Sequence, residues 1–142
     1  MGSILSIDYG LKRVGIAFSD PNRIFSFPYG IIENKSFEYI TEEIQKIIGE
    51  KEIDLIIVGM PFNMPGLKDK KSEMTLKVED FIRKLSKELP LVKIESIDER
   101  LSSFTAEERL KEAGISAKKS KKFIDTEAAR LMLEDFIENS RN

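Results

Sequence analysis

The sequence predicts an α/β protein: a mixed five-stranded sheet with helices on both faces, in the order β-β-β-α-β-α-β-α, as one domain spanning residues 1–142. Three observations predict it. The opening stretch holds three β-rich segments divided by short polar turns. Helical periodicity and short apolar runs then alternate. One of those runs, Leu55-Ile56-Ile57-Val58, is apolar throughout, as in a parallel strand covered on both faces. Hairpin-linked strands followed by αβ alternation give a sheet with both antiparallel and parallel neighbours.

Ser3–Tyr9 reads as the first strand, ending at Gly10, and Val14–Ser19 as the second, with Gly10-Leu11-Lys12-Arg13 as a tight hairpin loop. Arg23–Ile32 supplies Phe, Tyr and Ile for a third, and Pro28 assigns it to a sheet edge or a bulge. Phe37, Ile40, Ile44, Ile47 and Ile48 fall on one helical stripe, with Gly49 near its end. Asp54–Gly59 is the fourth strand, and Pro61 to Gly66 form a loop. Met74, Val78, Phe81, Ile82, Leu85 and Leu89 mark a long helix stopped by Pro90. Leu91–Ile97 is the fifth strand. Thr105-Ala106-Glu107-Glu108 has the form of a capping box opening a short helix that Gly114 closes. The last helix runs from about Ser120 to Glu138. The RNase H-like fold has this order of elements.

With 41% hydrophobic and 34% charged residues over 142 positions, the chain has the makeup of one soluble globular domain. No apolar run approaches the roughly 18–20 residues of a membrane span. The start, Met1-Gly2-Ser3-Ile4, lacks a signal peptide's basic segment, so a cytoplasmic protein with no membrane partner is expected. Cysteine and histidine are both absent, which excludes disulfides, a thiol nucleophile and the usual zinc site. Acid–base or metal chemistry must then run on Asp, Glu, Lys or Tyr, and a hard cation on carboxylate oxygens is the natural cofactor.

Three groups of acids are placed to carry chemistry. Asp8 closes an apolar strand just before a glycine, on a rigid element at the sheet rim; capping the turn is its plain structural alternative. Asp125 lies within about 40° of Ala129, Met132 and Phe136 on an ideal helix, on the face that packs against the sheet. A carboxylate there calls for a partner or a cation; the alternatives are an ion pair with Arg13 or Arg100, or an N-cap. Asp98 and Glu99 close the fifth strand, where ligands of α/β sheets collect. Alternation sets Asp98 with Val92 and Ile94 and Glu99 with Ile97, leaving open which of the two faces the others. Clustered carboxylates repel unless a cation sits between them. Two Mg²⁺ (or Mn²⁺) ions about 4 Å apart would satisfy them and clamp a scissile phosphate for in-line attack by water. Asp8, Asp98, Glu99 and Asp125 are the candidate ligands, with no zinc and no nucleotide cofactor.

Net charge is −2, so the whole chain carries no nucleic-acid signature, but its charges are unevenly spread. Six acids face two lysines between Glu38 and Asp54; five lysines face one glutamate between Lys111 and Lys122. Such runs are commonly solvated faces. Here Lys12 and Arg13 adjoin Asp8; Asn63, Lys68, Lys70 and Lys71 follow the fourth strand; Arg100 follows Glu99; Lys118, Lys119, Lys121 and Lys122 precede Asp125. If these loops meet at one rim they form a basic collar for phosphates around an acidic centre.

With these residues in hand, the chain resembles the YqgF/RuvX family, described as RuvC-like Holliday-junction resolvases and as pre-16S rRNA nucleases. Four motifs carry the resemblance, in order and nearly end to end. They are Ile7-Asp8-Tyr9-Gly10-Leu11-Lys12-Arg13-Val14-Gly15-Ile16-Ala17, Val58-Gly59-Met60-Pro61-Phe62-Asn63-Met64, Asp98-Glu99-Arg100-Leu101-Ser102-Ser103 with Ala106, and Lys121 through Ile124-Asp125 to Ala128-Ala129 and Leu133. The resemblance implies an RNase H-like fold, cytoplasmic nuclease activity in ribosomal RNA maturation, and catalytic acids at Asp8, Glu99 (or Asp98) and Asp125, with Glu99 favoured on family grounds. After Asn63-Met64 the family tends to have Asp-Gly where this chain has Pro65-Gly66, a departure that bears on loop shape and substrate preference.

Two other classes compete. A non-cutting RNase H-like module that only holds nucleic acid would lack a carboxylate-dependent Mg²⁺ or Mn²⁺ site. A phosphotransferase of the actin/sugar-kinase type opens with a similar strand and hairpin but needs two lobes and about twice this length. The expected partner is nucleic acid, an rRNA precursor or branched DNA, bound by a monomer or weak homodimer.

Overall fold

The computed structural model describes residues 2–61, 72–98 and 117–140, with side chains of the last helix described from Thr126. The chain forms β1 (Ser3–Asp8), β2 (Arg13–Ser19), β3 (Ser26–Glu33), α1 (Phe37–Lys51), β4 (Ile53–Met60), α2 (Glu73–Glu88), β5 (Lys93–Asp98) and α3 (Ala117–Ser140). The expected short helix from Thr105 to Gly114 lies outside the described residues.

The strands form one sheet in the order β3-β2-β1-β4-β5. β1, β2 and β3 are antiparallel neighbours; β4 joins β1 and β5 in parallel. The expected mixed sheet is therefore present, with β1 and β4 central and buried as their apolar runs require.

Its two faces have separate cores because strand residues alternate. Leu5, Ile7, Val14, Ile16, Ile56 and Val58 pack with Ile40, Ile44, Ile47, Val78, Phe81 and Leu85 of α1 and α2. On the other face Ile4, Ala17, Leu55 and Ile57 pack with Ala129, Leu133 and Ile137 of α3. The stripes read from the sequence are thus the buried ones.

Boundaries shift where polar side chains compete for backbone. β3 begins at Ser26 rather than Arg23 because the Asp20 carboxylate accepts the N–H groups of Asn22, Ile24 and Phe25 at 3.1, 2.8 and 2.6 Å, winding the chain into a turn. The Phe25 N–H is foremost in holding the Asp20 carboxyl below the usual carboxylate range, against the opposing effect of burial. Within β3, Ala17 pairs with Pro28 and Ile16 with Gly30, so Tyr29 is the extra residue of a bulge beside the proline. α1 runs past Gly49 to Lys51; Ser36 caps its start by accepting from Tyr39 N–H at 3.1 Å. Ser72 does the same for α2 through Thr75 N–H at 3.0 Å.

At the N-terminal ends of β1 and β4 a charged brace closes the sheet. Asp54 accepts from Gly2 N–H at 2.8 Å and from the Arg23 guanidinium at 2.5 Å, while Arg23 also donates to the Gly2 carbonyl at 3.0 Å. Burial opposes ionisation of Asp54, but these donors outweigh it and its pKa is lowered. The border strand β5 carries an ion pair between Lys93 and Glu95 at 3.0 Å. Among the described residues no helix is long and apolar enough to cross a membrane.

Candidate active site

β1 determines where the first acid sits. Leu5 and Ile7 face α1 and α2, so Ile4, Ser6 and Asp8 face α3. Ser6 is fully buried, and its hydroxyl donates to the Ala129 carbonyl of α3 at 2.7 Å. A buried hydroxyl without a partner would be costly, so this bond fixes the helix against the strand at one level. Ala128 and Ala129, both buried, are small enough to allow the close approach.

β1 and α3 run in opposite directions. Ile4 packs in the cluster that contains Leu133 and Ile137, and Ser6 meets Ala129. Two strand residues advance about 6.7 Å and four helix residues about 6 Å, so the two elements stay in step. Asp8 is the next residue on the α3 face after Ser6, and Asp125 is one helical turn before Ala129. Asp8 is half-buried at the strand's end.

Asp98 ends β5 on the other side of the sheet. It pairs with Met60, as Ile94 pairs with Ile56, and these belong to the α1/α2 core. Ile97, by contrast, packs with the α3 core. Asp98 therefore occupies the face opposite Asp8 and is exposed. The next position with the parity of Ile97 is Glu99, which lies outside the described residues. Among the described residues no three carboxylates form a metal-binding group.

The turn after Asp8 is tightly specified. A Cβ on Gly10 would come within 2.4 Å of the Arg13 carbonyl oxygen, so only glycine closes this loop without displacement. Asn34, after β3, fastens it: its side-chain amide donates to the Gly10 carbonyl at 2.8 Å and its N–H to the Lys12 carbonyl at 3.0 Å. Lys12 is exposed and Arg13, opposite Glu33, half-buried, both beside the Asp8 end of the sheet.

The other basic candidates divide by position. Lys118, Lys119, Lys121 and Lys122 lie in the first two turns of α3, in the direction of Asp125. Asn63, Lys68, Lys70, Lys71 and Arg100 lie outside the described residues. Ser6 and Asn34 were missed by sequence reasoning. A lone serine inside Ile4-Leu5-Ser6-Ile7 was the available signal for a buried polar contact; Asn34, next to a helix cap, gave none.

Arg130 anchors α3 further along. Its guanidinium binds Glu127, reaches Glu134 at 3.2 Å and donates to Ser26 Oγ of β3 at 3.4 Å. The hydrogen bond it donates to Glu127 does most to raise its pKa. α3 is thus held by a hydroxyl at β1 and a guanidinium at β3.

Comparison with known proteins adds to this geometry. The family model for RuvX, described as a Holliday junction resolvase, matches residues 2–139. A protein of Maridesulfovibrio salexigens named "Putative pre-16S rRNA nuclease" is 40% identical over 134 residues, covering 94% of this chain and 96% of its own. One of the same name from Chlorobium chlorochromatii is 36% identical over 140 residues, covering 97% and 96%. Among solved structures, T. thermophilus RuvC in complex with a Holliday junction substrate superposes with a TM-score of 0.59 at 12% identity, covering 100% of this chain and 98% of that one. The fowlpox virus resolvase in complex with Holliday junction DNA gives 0.55 at 15%, covering 99% of both. These two share the RNase H-like sheet.

Proposed function

This chain belongs to the RuvX family, and from that premise we propose that it is a Mg²⁺-dependent endonuclease of structured nucleic acid. Its substrates are the 5′ end of pre-16S rRNA, a Holliday junction, or both, and it works in the cytoplasm. The carrying observation is the Ser6–Ala129 bond, which leaves Asp8 and Asp125 each one step further along facing elements.

In this reading Asp8, Asp125 and Glu99 are the catalytic acids. Glu99 is preferred to Asp98 because it continues the parity of Ile97, whereas Asp98 lies on the face of Met60. The donor set fits a hard divalent cation: carboxylate oxygens, that of Asp8 at the end of β1 and that of Asp125 on α3, in a chain without cysteine or histidine. Bound there, a pair of such ions supplies the positive charge that stabilises the attacking and departing oxygens of an in-line displacement at phosphorus. Asp8 is positioned by β1 and by the glycine turn, and Asp125 by the packing of α3. Lys12, Arg13 and the lysines opening α3 would receive the flanking phosphates.

The deciding experiment is cleavage of a labelled 5′-extended pre-16S rRNA fragment and of a four-way DNA junction with Mg²⁺ or Mn²⁺. Wild-type protein should cut at least one, and Asp8→Asn neither. Cutting of a junction in two symmetric places would call for a two-fold dimer; trimming of rRNA suits a monomer.

A further inference from the structure

β1, β2 and β3 carry a row of directly paired residues that leads away from the proposed site. Asp8 pairs with Gly15, and Gly15 pairs with Ile31. Residues opposed in antiparallel strands share a face, so Asp8 and Ile31 lie on one face with only a glycine between them. Two strand spacings separate them, about 10 Å.

Ile31 lines a cleft of about 530 Å³ whose other walls are Leu11, Lys12, Arg13, Glu33, Asn34 and Lys35. Three of these are cations and one is an acid. Lys35 reaches Glu33 only at 3.9 Å, with both side chains more than half exposed, so this pair is weak and easily exchanged for a stronger anion. Leu11, 57% exposed, adds an apolar rim. The two hydrogen bonds of Asn34 hold the Lys12 turn and the Lys35 loop together, so the cleft is built by fixed backbone rather than by long side chains alone.

We infer that this cleft seats the phosphodiester backbone of the substrate strand one to two nucleotides from the cleaved bond. Lys35 is a positioning residue there, and Glu33 a competing anion that the phosphate displaces. The inference rests on the proposed nuclease reading for the location of the cleaved bond. A phosphate in the cleft exchanges the Lys35–Glu33 pair for a charge-assisted contact and leaves Glu33 to oppose Arg13, its register partner.

The test compares Lys35→Ala, Lys35→Arg and Glu33→Gln with wild type on the labelled rRNA fragment and the four-way junction. Binding is measured by fluorescence anisotropy over a salt series in the Asp8→Asn background. Lys35→Ala should raise KM several-fold with kcat held, and flatten the dependence of log affinity on log salt by about one. Lys35→Arg should restore both, and Glu33→Gln should tighten binding. Unchanged KM and salt slope in Lys35→Ala, or weaker binding in Glu33→Gln, overturns the assignment. The two readings fail separately. Cleavage that needs Asp8 but ignores Lys35 removes only the cleft, whereas cleavage by Asp8→Asn removes the catalytic reading.

Discussion

The Ser6 hydroxyl of β1 donates to the Ala129 carbonyl of α3 at 2.7 Å, a fully buried bond across 123 positions of sequence. It sets the level at which the helix meets the sheet. Ser6→Ala removes one buried hydrogen bond and should cost about 1 kcal/mol in chemical denaturation. If Asp8 and Asp125 act together as proposed, cleavage should fall further than stability does, because a small displacement of α3 would shift Asp125 relative to Asp8.

Asp8→Asn should abolish cleavage of both nucleic acids while leaving the melting temperature unchanged or higher. On the proposed reading, neutralising Asp8 relieves repulsion within the carboxylate cluster as it removes a cation ligand. Thermal melts with and without Mn²⁺ check both halves: wild type should gain stability from the ion and the variant should not.

Asp98→Asn and Glu99→Gln should separate cleanly. Asp98 shares the α1/α2 face with Met60, so its variant should retain most activity. Glu99→Gln should lose activity by orders of magnitude. The reverse result would mean that the chain turns over at the end of β5.

Much of this architecture was legible in the sequence, for identifiable reasons. The continuous apolar run Leu55–Val58 and the spaced isoleucines of α1 report burial directly, and both are buried as expected. The place of Asp8 at the end of an apolar strand before glycine was legible, and β1 does end at Asp8. The start of β3 was not, since Phe25 and Ile24 look like strand residues until the Asp20 carboxylate takes their N–H groups. The choice between Asp98 and Glu99 could not be made from alternation alone. The register of β5 on β4, which depends on contacts distant in sequence, sets Asp98 on the face of Met60, and Glu99 lies outside the described residues. Asn34 depends likewise on two loops meeting.

Gly10→Ala should disturb the site without touching an acid. The added Cβ would overlap the Arg13 carbonyl oxygen, so the turn must open. A loss on the order of 1–3 kcal/mol is expected, together with a larger proportional fall in kcat. Guanidinium denaturation and cleavage rates measured side by side would reveal it.

Acid should loosen the pole of the sheet remote from Asp8. The carboxyls of Asp20 and Asp54 are both held below their ordinary pKa. Groups depressed by folding contribute stability that is present above about pH 4 and is lost as pH falls through their lowered values. Unfolding midpoints measured from neutral pH downward should decline below pH 4, and Asp54→Asn should flatten that decline.

The bulge at Tyr29 beside Pro28 and the Lys93–Glu95 pair have a shared consequence for how molecules of this protein meet. β3 and β5 are the two outer strands, and an outer strand with free N–H and C=O groups can act as a template for another chain. Pro28 withholds a donor and the bulge breaks the ladder on one border, while charged side chains punctuate the other. Neither border offers a flat, uncharged ladder, so sheet-to-sheet polymerisation is discouraged, and any pairing of two copies has to be built from side-chain surfaces.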